Sequence, residues 1–159
     1  MNAIKISRNF WLSEFEKSST ALRLDIDNTA PNDVIAKLEL LCLRVLQPTR
    51  DYFVTEQRMA SGMAVNSGFR CLDLNRKLGS SDNSQHLKGE AADVEIRGVD
   101  NHALATWIRE NLEFDQLILE FYDGVDPASG WVHVSYKENE NRGECLTINK
   151  GIVKRGLIK

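Results

Sequence analysis

The sequence contains little cysteine. Only Cys42, Cys71 and Cys145 occur among the 159 residues, and no two of them form a Cys-x-x-Cys pair. A disulfide framework needs an even set of cysteines, and a thiolate zinc site needs closely spaced ones. We therefore expect three reduced thiols, and we expect any bound metal to use histidine and carboxylate ligands instead.

Long hydrophobic runs are also absent. The longest apolar stretches are a few residues long, and the N-terminal segment lacks the apolar core of a signal peptide. This pattern predicts no transmembrane helix and no membrane insertion. It also predicts synthesis in the cytoplasm without a signal peptide.

Charge of one sign is not in large excess, because 20 basic residues stand against 23 acidic ones and the net charge is −3. Nucleic-acid-binding surfaces need a basic excess, so we expect no nucleic-acid partner. The C-terminal tail is locally basic, with Lys150, Lys154, Arg155 and Lys159. We expect this tail to be solvated, with contact to an anionic polymer as the alternative.

Length and composition predict a single domain over residues 1–159. Apolar residues make up 42% and charged residues 27%, which are ordinary globular values. Hydrophobic spacing and turn residues indicate an α+β fold, in which N-terminal helices pack on a mainly antiparallel sheet. Helices are predicted over 11–15, 32–47, 72–78 and 100–111, and strands over 63–67, 91–96, 114–121, 131–136 and 144–148. Pro48 should end or kink the second helix, and residues 137–159 should form a C-terminal strand and the basic tail.

Only three histidines are available as metal ligands: His86, His102 and His133. Side chains alternate along a strand, so His133 points away from the apolar side of its strand, and Asp93 points away from Val94. Two histidines and an aspartate from different elements can fill three positions around zinc and leave the fourth open, as in catalytic sites. The pattern alone also fits a plain loop residue, His86, and a hydrogen-bonded strand residue, His133. His102 stands at a predicted helix start, where we expect a solvated side chain.

Three motifs, in order along the chain, narrow this interpretation. They are Ser67-Gly68-Phe69-Arg70, the segment 84–93 with the sequence SQHLKGEAAD, and Trp131-Val132-His133. Together they resemble the zinc D-Ala-D-Ala carboxypeptidase-like metallopeptidase family, which is subfamily A of peptidase family M15. The resemblance extends from about Phe10 to Tyr136 and is closest to the short members that phages and prophages often encode. It implies a zinc site of the hedgehog and DD-peptidase type.

The resemblance implies a role for each motif. The implied metal ligands are His86, Asp93 and His133, and the implied substrate-binding residues are Arg70, Ser84, Gln85 and Trp131. Arg70 would also be catalytic, because its guanidinium is a rigid two-pronged donor for the substrate carboxylate or the developing oxyanion. Ser84 and Gln85 would lie at the cleft edge and orient the first ligand or the substrate. An ordinary loop turn is the alternative for Ser84.

The general base does not follow the family pattern. Many members carry an acidic residue three positions before the last histidine, whereas this chain has Gly130 there. We prefer Glu120 as the base, because it ends an apolar strand where partial burial would raise its pKa. Asp123 and Asp126 are the alternatives. A supporting contact to a ligand histidine is the other role open to Glu120, and it is also open to Glu95.

The resemblance implies a zinc-dependent peptidase that hydrolyses amide bonds in the peptide stem of bacterial peptidoglycan. The bond would be D-Ala-D-Ala for a carboxypeptidase, or L-Ala-D-Glu for an endopeptidase of the endolysin type. Without a signal peptide, such an enzyme would reach the wall after holin-type release or by phage delivery. The broken acid-x-x-His pattern leaves a catalytically inactive zinc-binding module, acting in binding or phage assembly, as the alternative. A metal-free binding protein is a further one, and we expect a monomer.

Overall fold

The computed structural model describes residues 3–159 and confirms the predicted α+β fold. Its helices are α1 (Leu12–Glu16), α2 (Ser19–Arg23), α3 (Asn32–Leu41), α4 (Gln47–Arg50), α5 (Leu72–Lys77) and α6 (Asn101–Asn111). Its strands are β1 (Lys5–Ser7), β2 (Phe10–Trp11), β3 (Met63–Ser67), β4 (Ala91–Ile96), β5 (Gln116–Glu120), β6 (Trp131–Ser135), β7 (Glu144–Asn149) and β8 (Ile152–Arg155). A short 3-10 turn, Gln85–Lys88, precedes β4.

Residues 32–56 are continuously helical, so the helix does not end at Pro48, which is one of the two outcomes that the sequence predicts. α3 continues into a π-helical segment, Cys42–Leu46, then into α4 and a second π-helical segment, Asp51–Glu56. In the first of these segments the Gln47 N–H donates to the Cys42 carbonyl, five residues back. This wider turn directly precedes Pro48, whose ring would clash with the carbonyl of an ordinary α-helical turn. Neither this helix nor any other within residues 3–159 has both the length and the apolar character of a membrane span.

The main sheet has six strands in the order β3-β4-β6-β5-β7-β8. All neighbouring strands are antiparallel except β5 and β7, which are parallel. In the centre of the sheet Asp93, His133 and Ile118 lie side by side in one cross-strand row. Directly opposed residues in such a row have Cβ atoms about 4.5–5.5 Å apart on the same face. The register of β4, β6 and β5 therefore brings Asp93 and His133 together.

The opposite face of the central strands is apolar and covered by helices. Its fully buried residues are Ala92, Val94, Leu117, Leu119, Val132 and Val134. α6 packs against β4, β5 and β6 through its buried residues Leu104, Ala105 and Ile108. Burying one such aliphatic side chain contributes about 1.5–3 kcal/mol. A one-residue slip would turn these side chains out to solvent, so their burial also fixes the register of the polar row on the other face.

The C-terminal segment contains one strand that the sequence does not predict. β7 corresponds to the strand expected over 144–148, and residues 150–151 turn the chain back into β8. Lys150 and Gly151 both have positive φ, 48° and 78°, as a two-residue hairpin turn of type I′ requires. All four residues of β8 are exposed. This part of the basic tail is therefore solvated, but as an edge strand paired to β7.

Candidate metal centre

Three polar side chains meet on the open face of the sheet. β4 and β6 place Asp93 opposite His133, and 2.9 Å separates Asp93 Oδ1 from His133 Nδ1. The 3-10 turn brings His86 to the same carboxylate, with 3.4 Å between His86 Nε2 and Asp93 Oδ1. All three residues are buried, and one ligand atom from each lies within 4.8 Å of the others. The structure thus brings together the three residues predicted as metal ligands.

The donor set fits a single zinc ion. Bond lengths of about 2.0–2.1 Å in a tetrahedron separate neighbouring ligand atoms by about 3.3 Å, close to the 3.4 Å and 2.9 Å found here. His86 Nδ1 lies 2.6 Å from the Gly68 carbonyl, so Nδ1 carries the proton and Nε2 offers its lone pair to the cluster. A Cβ on Gly68 would lie 2.7 Å from the Phe15 Cα, so this carbonyl reaches His86 only because residue 68 is glycine.

The charges in the cluster favour metal binding. Burial acts to raise the pKa of Asp93, but its contacts with the His133 and His86 rings outweigh this effect and hold that pKa below its ordinary value. Burial lowers the pKa of His86, against the opposing attraction of Asp93. At neutral pH Asp93 is therefore ionised and His86 neutral, which are the protonation states that metal ligands need.

All three guanidinium nitrogens of Arg70 donate hydrogen bonds, and one of them reaches the cluster. Nη2 donates to Asp93 Oδ2 at 3.0 Å. Nε donates to Ser67 Oγ at 2.9 Å, and Nη1 donates to Ser80 Oγ at 3.3 Å. The Arg70 N–H also donates to the His86 carbonyl. Arg70 therefore holds one carboxylate oxygen of Asp93 and leaves the other, Oδ1, to the two histidines.

Glu120 lies at the end of β5, opposite Trp131 on β6, and it lines the same cleft as the cluster. Burial raises its pKa, and the nearby charge of Asp93 adds to the effect, while no hydrogen bond from residues 3–159 counteracts it. Gly130, where the family pattern has an acid, cannot carry any side chain. A Cβ there would lie 1.9 Å from the Glu120 carbonyl oxygen, and φ is +65°. The backbone thus explains the departure from the family pattern.

The other acidic candidates and His102 lie apart from the cluster. Asp123 and Asp126 accept hydrogen bonds from backbone N–H groups of the loop between β5 and β6, so their carboxylates shape that loop. Glu95 is half-buried farther along β4. His102 is half-buried at the start of α6, with its ring 6.0 Å from that of Tyr122, and is not the fully solvated side chain expected.

The side chains of Ser84 and Gln85 point to different sides of the 3-10 turn that these residues begin. Ser84 lines the cleft, and its hydroxyl accepts the His86 N–H at 3.3 Å, which starts the 3-10 turn. Gln85 points elsewhere, because its Nε2 donates to Asp115 Oδ2 at 3.0 Å. It is not among the described residues that line the cleft. Neighbouring residues on a tight turn face different sides, so with His86 in the cluster Gln85 does not lie at the cleft edge as expected.

Phe121 is a residue of the cleft that the sequence does not reveal. It is 45% exposed, and its ring centroid lies 5.1 Å from that of Trp131. Strand alternation predicts Phe121 on the buried face with Leu117 and Leu119. β5 instead ends at Glu120, and Phe121 adopts a left-handed conformation with φ of 55°, which is rare for a bulky side chain. Phe121 and Trp131 together form an aromatic wall of the cleft.

The cleft around the cluster has a volume of about 750 Å³, within the range of sites that enclose small ligands. Two imidazoles and one carboxylate, set in an open cleft beside a second carboxylate, define a candidate mononuclear metal centre of the catalytic class. Residues 8–135 match the model of a family described as Peptidase M15. The chain belongs to this family and is therefore a peptidase with a peptide substrate. Its members are typically zinc-dependent. No curated protein matches the chain.

Proposed function

We propose that this protein is a zinc-dependent peptidase that hydrolyses an amide bond in the peptide stem of bacterial peptidoglycan. The observation that carries the proposal is the buried cluster of His86, Asp93 and His133, in one cleft with Glu120. The three ordered motifs that resemble the D-Ala-D-Ala carboxypeptidase-like family support the substrate class.

Glu120 is the group that moves the proton. His86, Asp93 and His133 would hold the zinc, which when bound would act as a Lewis acid and lower the pKa of the attacking water to about 7. Glu120 accepts the proton of the attacking water on its carboxylate and delivers it to the leaving amine. Its raised pKa suits both steps, because a carboxyl group with an ordinary pKa is almost never protonated at neutral pH and so rarely has a proton to deliver.

Arg70 and the aromatic wall position the other participants. The Arg70 guanidinium holds Asp93, and its positive charge lies in the cleft where the tetrahedral oxyanion develops. Its Nη1 and Nη2 each carry a second N–H. Phe121 and Trp131 offer aromatic faces against which apolar parts of the substrate pack.

Mass spectrometry of fragments released from purified peptidoglycan tests the proposal and identifies the bond that is cut. We expect hydrolysed stem peptides from protein that holds one equivalent of zinc. Glu120→Gln protein is the matched control, since it keeps the three ligands and should release almost nothing. One bound zinc with no fragment released, even at high protein concentration, would contradict the peptidase proposal.

A further inference from the structure

The cleft does not end at the metal cluster. A second cavity, of about 290 Å³, shares Arg70, Asp93 and Trp131 with the 750 Å³ cleft. A third, of about 620 Å³, shares residues 17–19 and Asn66 with the second. Because each cavity shares lining residues with the next, we treat the three as one groove that passes the cluster. We call the part lined by residues 17–19 and Asn66 the N-terminal arm.

Resting on the proposed function, we infer that the protein is an endopeptidase, which cuts an interior amide bond of a peptide bound on both sides of that bond. Peptide on one side of the bond lies along the aromatic wall, and peptide on the other side occupies the N-terminal arm. Water adds its hydroxyl to the carbonyl carbon and a proton to the amine nitrogen as the C–N bond breaks. Neither product is then a single C-terminal amino acid.

The surroundings of Arg70 argue against removal of one terminal residue. A carboxypeptidase needs a free cation close to the reacting bond, at a closed end of the site, to hold the terminal carboxylate. Arg70 lines two of the three cavities instead of closing one end of the groove, and its Nη2 is held by Asp93. Lys17 lies farther out, in the N-terminal arm and outside the cavity that contains Glu120.

The lining of the N-terminal arm suits a peptide backbone. Ser18, Ser19 and Asn66 place hydroxyl and amide groups along it, and Ser19 and Asn66 are exposed. Such groups both donate and accept hydrogen bonds, as the N–H and C=O groups of an extended peptide require. The arm thus offers a second binding segment instead of a wall beyond the scissile bond.

The products of peptidoglycan digestion separate this inference from the proposed function. We expect the zinc-loaded protein to cut within the stem and to release no single C-terminal amino acid. Release of single C-terminal amino acids alone would overturn the inference and leave the peptidase proposal standing. No release of any product would overturn the peptidase proposal and the inference with it.

Substitutions on β3 test whether the N-terminal arm holds substrate. Asn66→Trp fills the arm, and we expect the KM for a soluble stem peptide to rise about tenfold, equal to ~1.4 kcal/mol, with kcat and zinc content unchanged. Ala64→Trp is the matched control, because Ala64 is exposed on the same strand and lines none of the three cavities. An Asn66→Trp protein that folds, binds zinc and keeps its KM would overturn the inference.

Discussion

Asp93 and Asp115 are both buried aspartates, but their partners differ in kind. Asp93 faces two histidines and Arg70 across distances of 2.9–3.4 Å. Asp115 is 1% exposed and accepts bonds from Arg142 Nε at 3.0 Å and Nη2 at 2.7 Å, with Lys137 Nζ at 3.3 Å. Imidazoles can give a lone pair to a metal, whereas guanidinium and ammonium groups are permanent cations with none to give.

The difference separates Asp93, which is free to share a metal ion with the histidines, from Asp115, which joins distant segments of the chain. The Arg142 N–H and Gln85 Nε2 also donate to Asp115, so its oxygens are saturated by protein groups. They join the loop after β6 to the start of β5 and to the turn that carries His86. Burial acts to raise the pKa of Asp115, but the bonds from Arg142 hold it at about 2. Asp93, by contrast, lines an open cleft.

Replacing a ligand should have the largest effect. His133→Ala leaves two ligands, which hold zinc poorly, so we expect loss of bound zinc and of all measurable hydrolysis. Elemental analysis after dialysis measures the metal. Asp115→Asn is the matched control on the other aspartate and should retain one zinc per folded molecule. Stoichiometric zinc in His133→Ala would remove His133 from the ligand set.

Glu120→Gln should separate binding from catalysis at the metal centre. The variant keeps His86, Asp93 and His133, so its zinc content should equal that of the unmodified protein. We expect kcat to fall by roughly 10²–10⁴-fold, the range for loss of a general acid–base group. Steady-state hydrolysis of a soluble stem peptide measures it. Full activity in this variant would show that another group moves the proton.

Asp115→Asn should weaken the fold while leaving the metal centre in place. It removes the charge that Arg142 and Lys137 share, and both cations are exposed enough to regain water. We therefore expect a loss of about 2 kcal/mol in the free energy of unfolding, less than for a fully buried ion pair. Urea denaturation measures it. A loss of zinc affinity larger than the loss of stability would mean that Asp115 belongs to the metal centre.

Lowering the pH should remove the contribution of Asp115 to the free energy of unfolding. This is the smallest of the predicted effects. Its folded pKa of about 2 lies below the ordinary unfolded value of ~3.9. Its contribution is therefore complete above the unfolded pKa and is lost as pH falls through the folded pKa. The stability difference between the unmodified protein and Asp115→Asn should stay constant above about pH 5 and shrink between about pH 4 and 2. A difference that stays constant down to pH 2 would contradict the assignment.

The sequence predicts well the features that depend on residues close together along the chain. Alternation along β4 and β6 places Asp93 and His133 on the polar face, and a local motif identifies His86. Contacts between distant residues are not predictable in this way. The bond from Gln85 to Asp115 spans 30 positions, and no pattern within the motif indicates that Gln85 turns away from the cleft.

Breaks in regular backbone are the other limit of prediction. Pro48 ordinarily ends a helix, but a π-helical turn makes room for it. Phe121 leaves strand alternation at a left-handed φ, which moves its ring from the core into the cleft. Both departures depend on backbone geometry that tertiary packing sets, so they cannot be predicted from composition or periodicity.

The contact between Gly130 and the Glu120 carbonyl has a consequence for redesign. An acid at position 130 and an acid at position 120 require different backbones, because the chain at 120–121 occupies the space that a side chain at 130 would need. No single substitution can therefore move the proposed base from position 120 to position 130. The segment between β5 and β6 would have to be exchanged as a block, so these two positions can be redesigned only together.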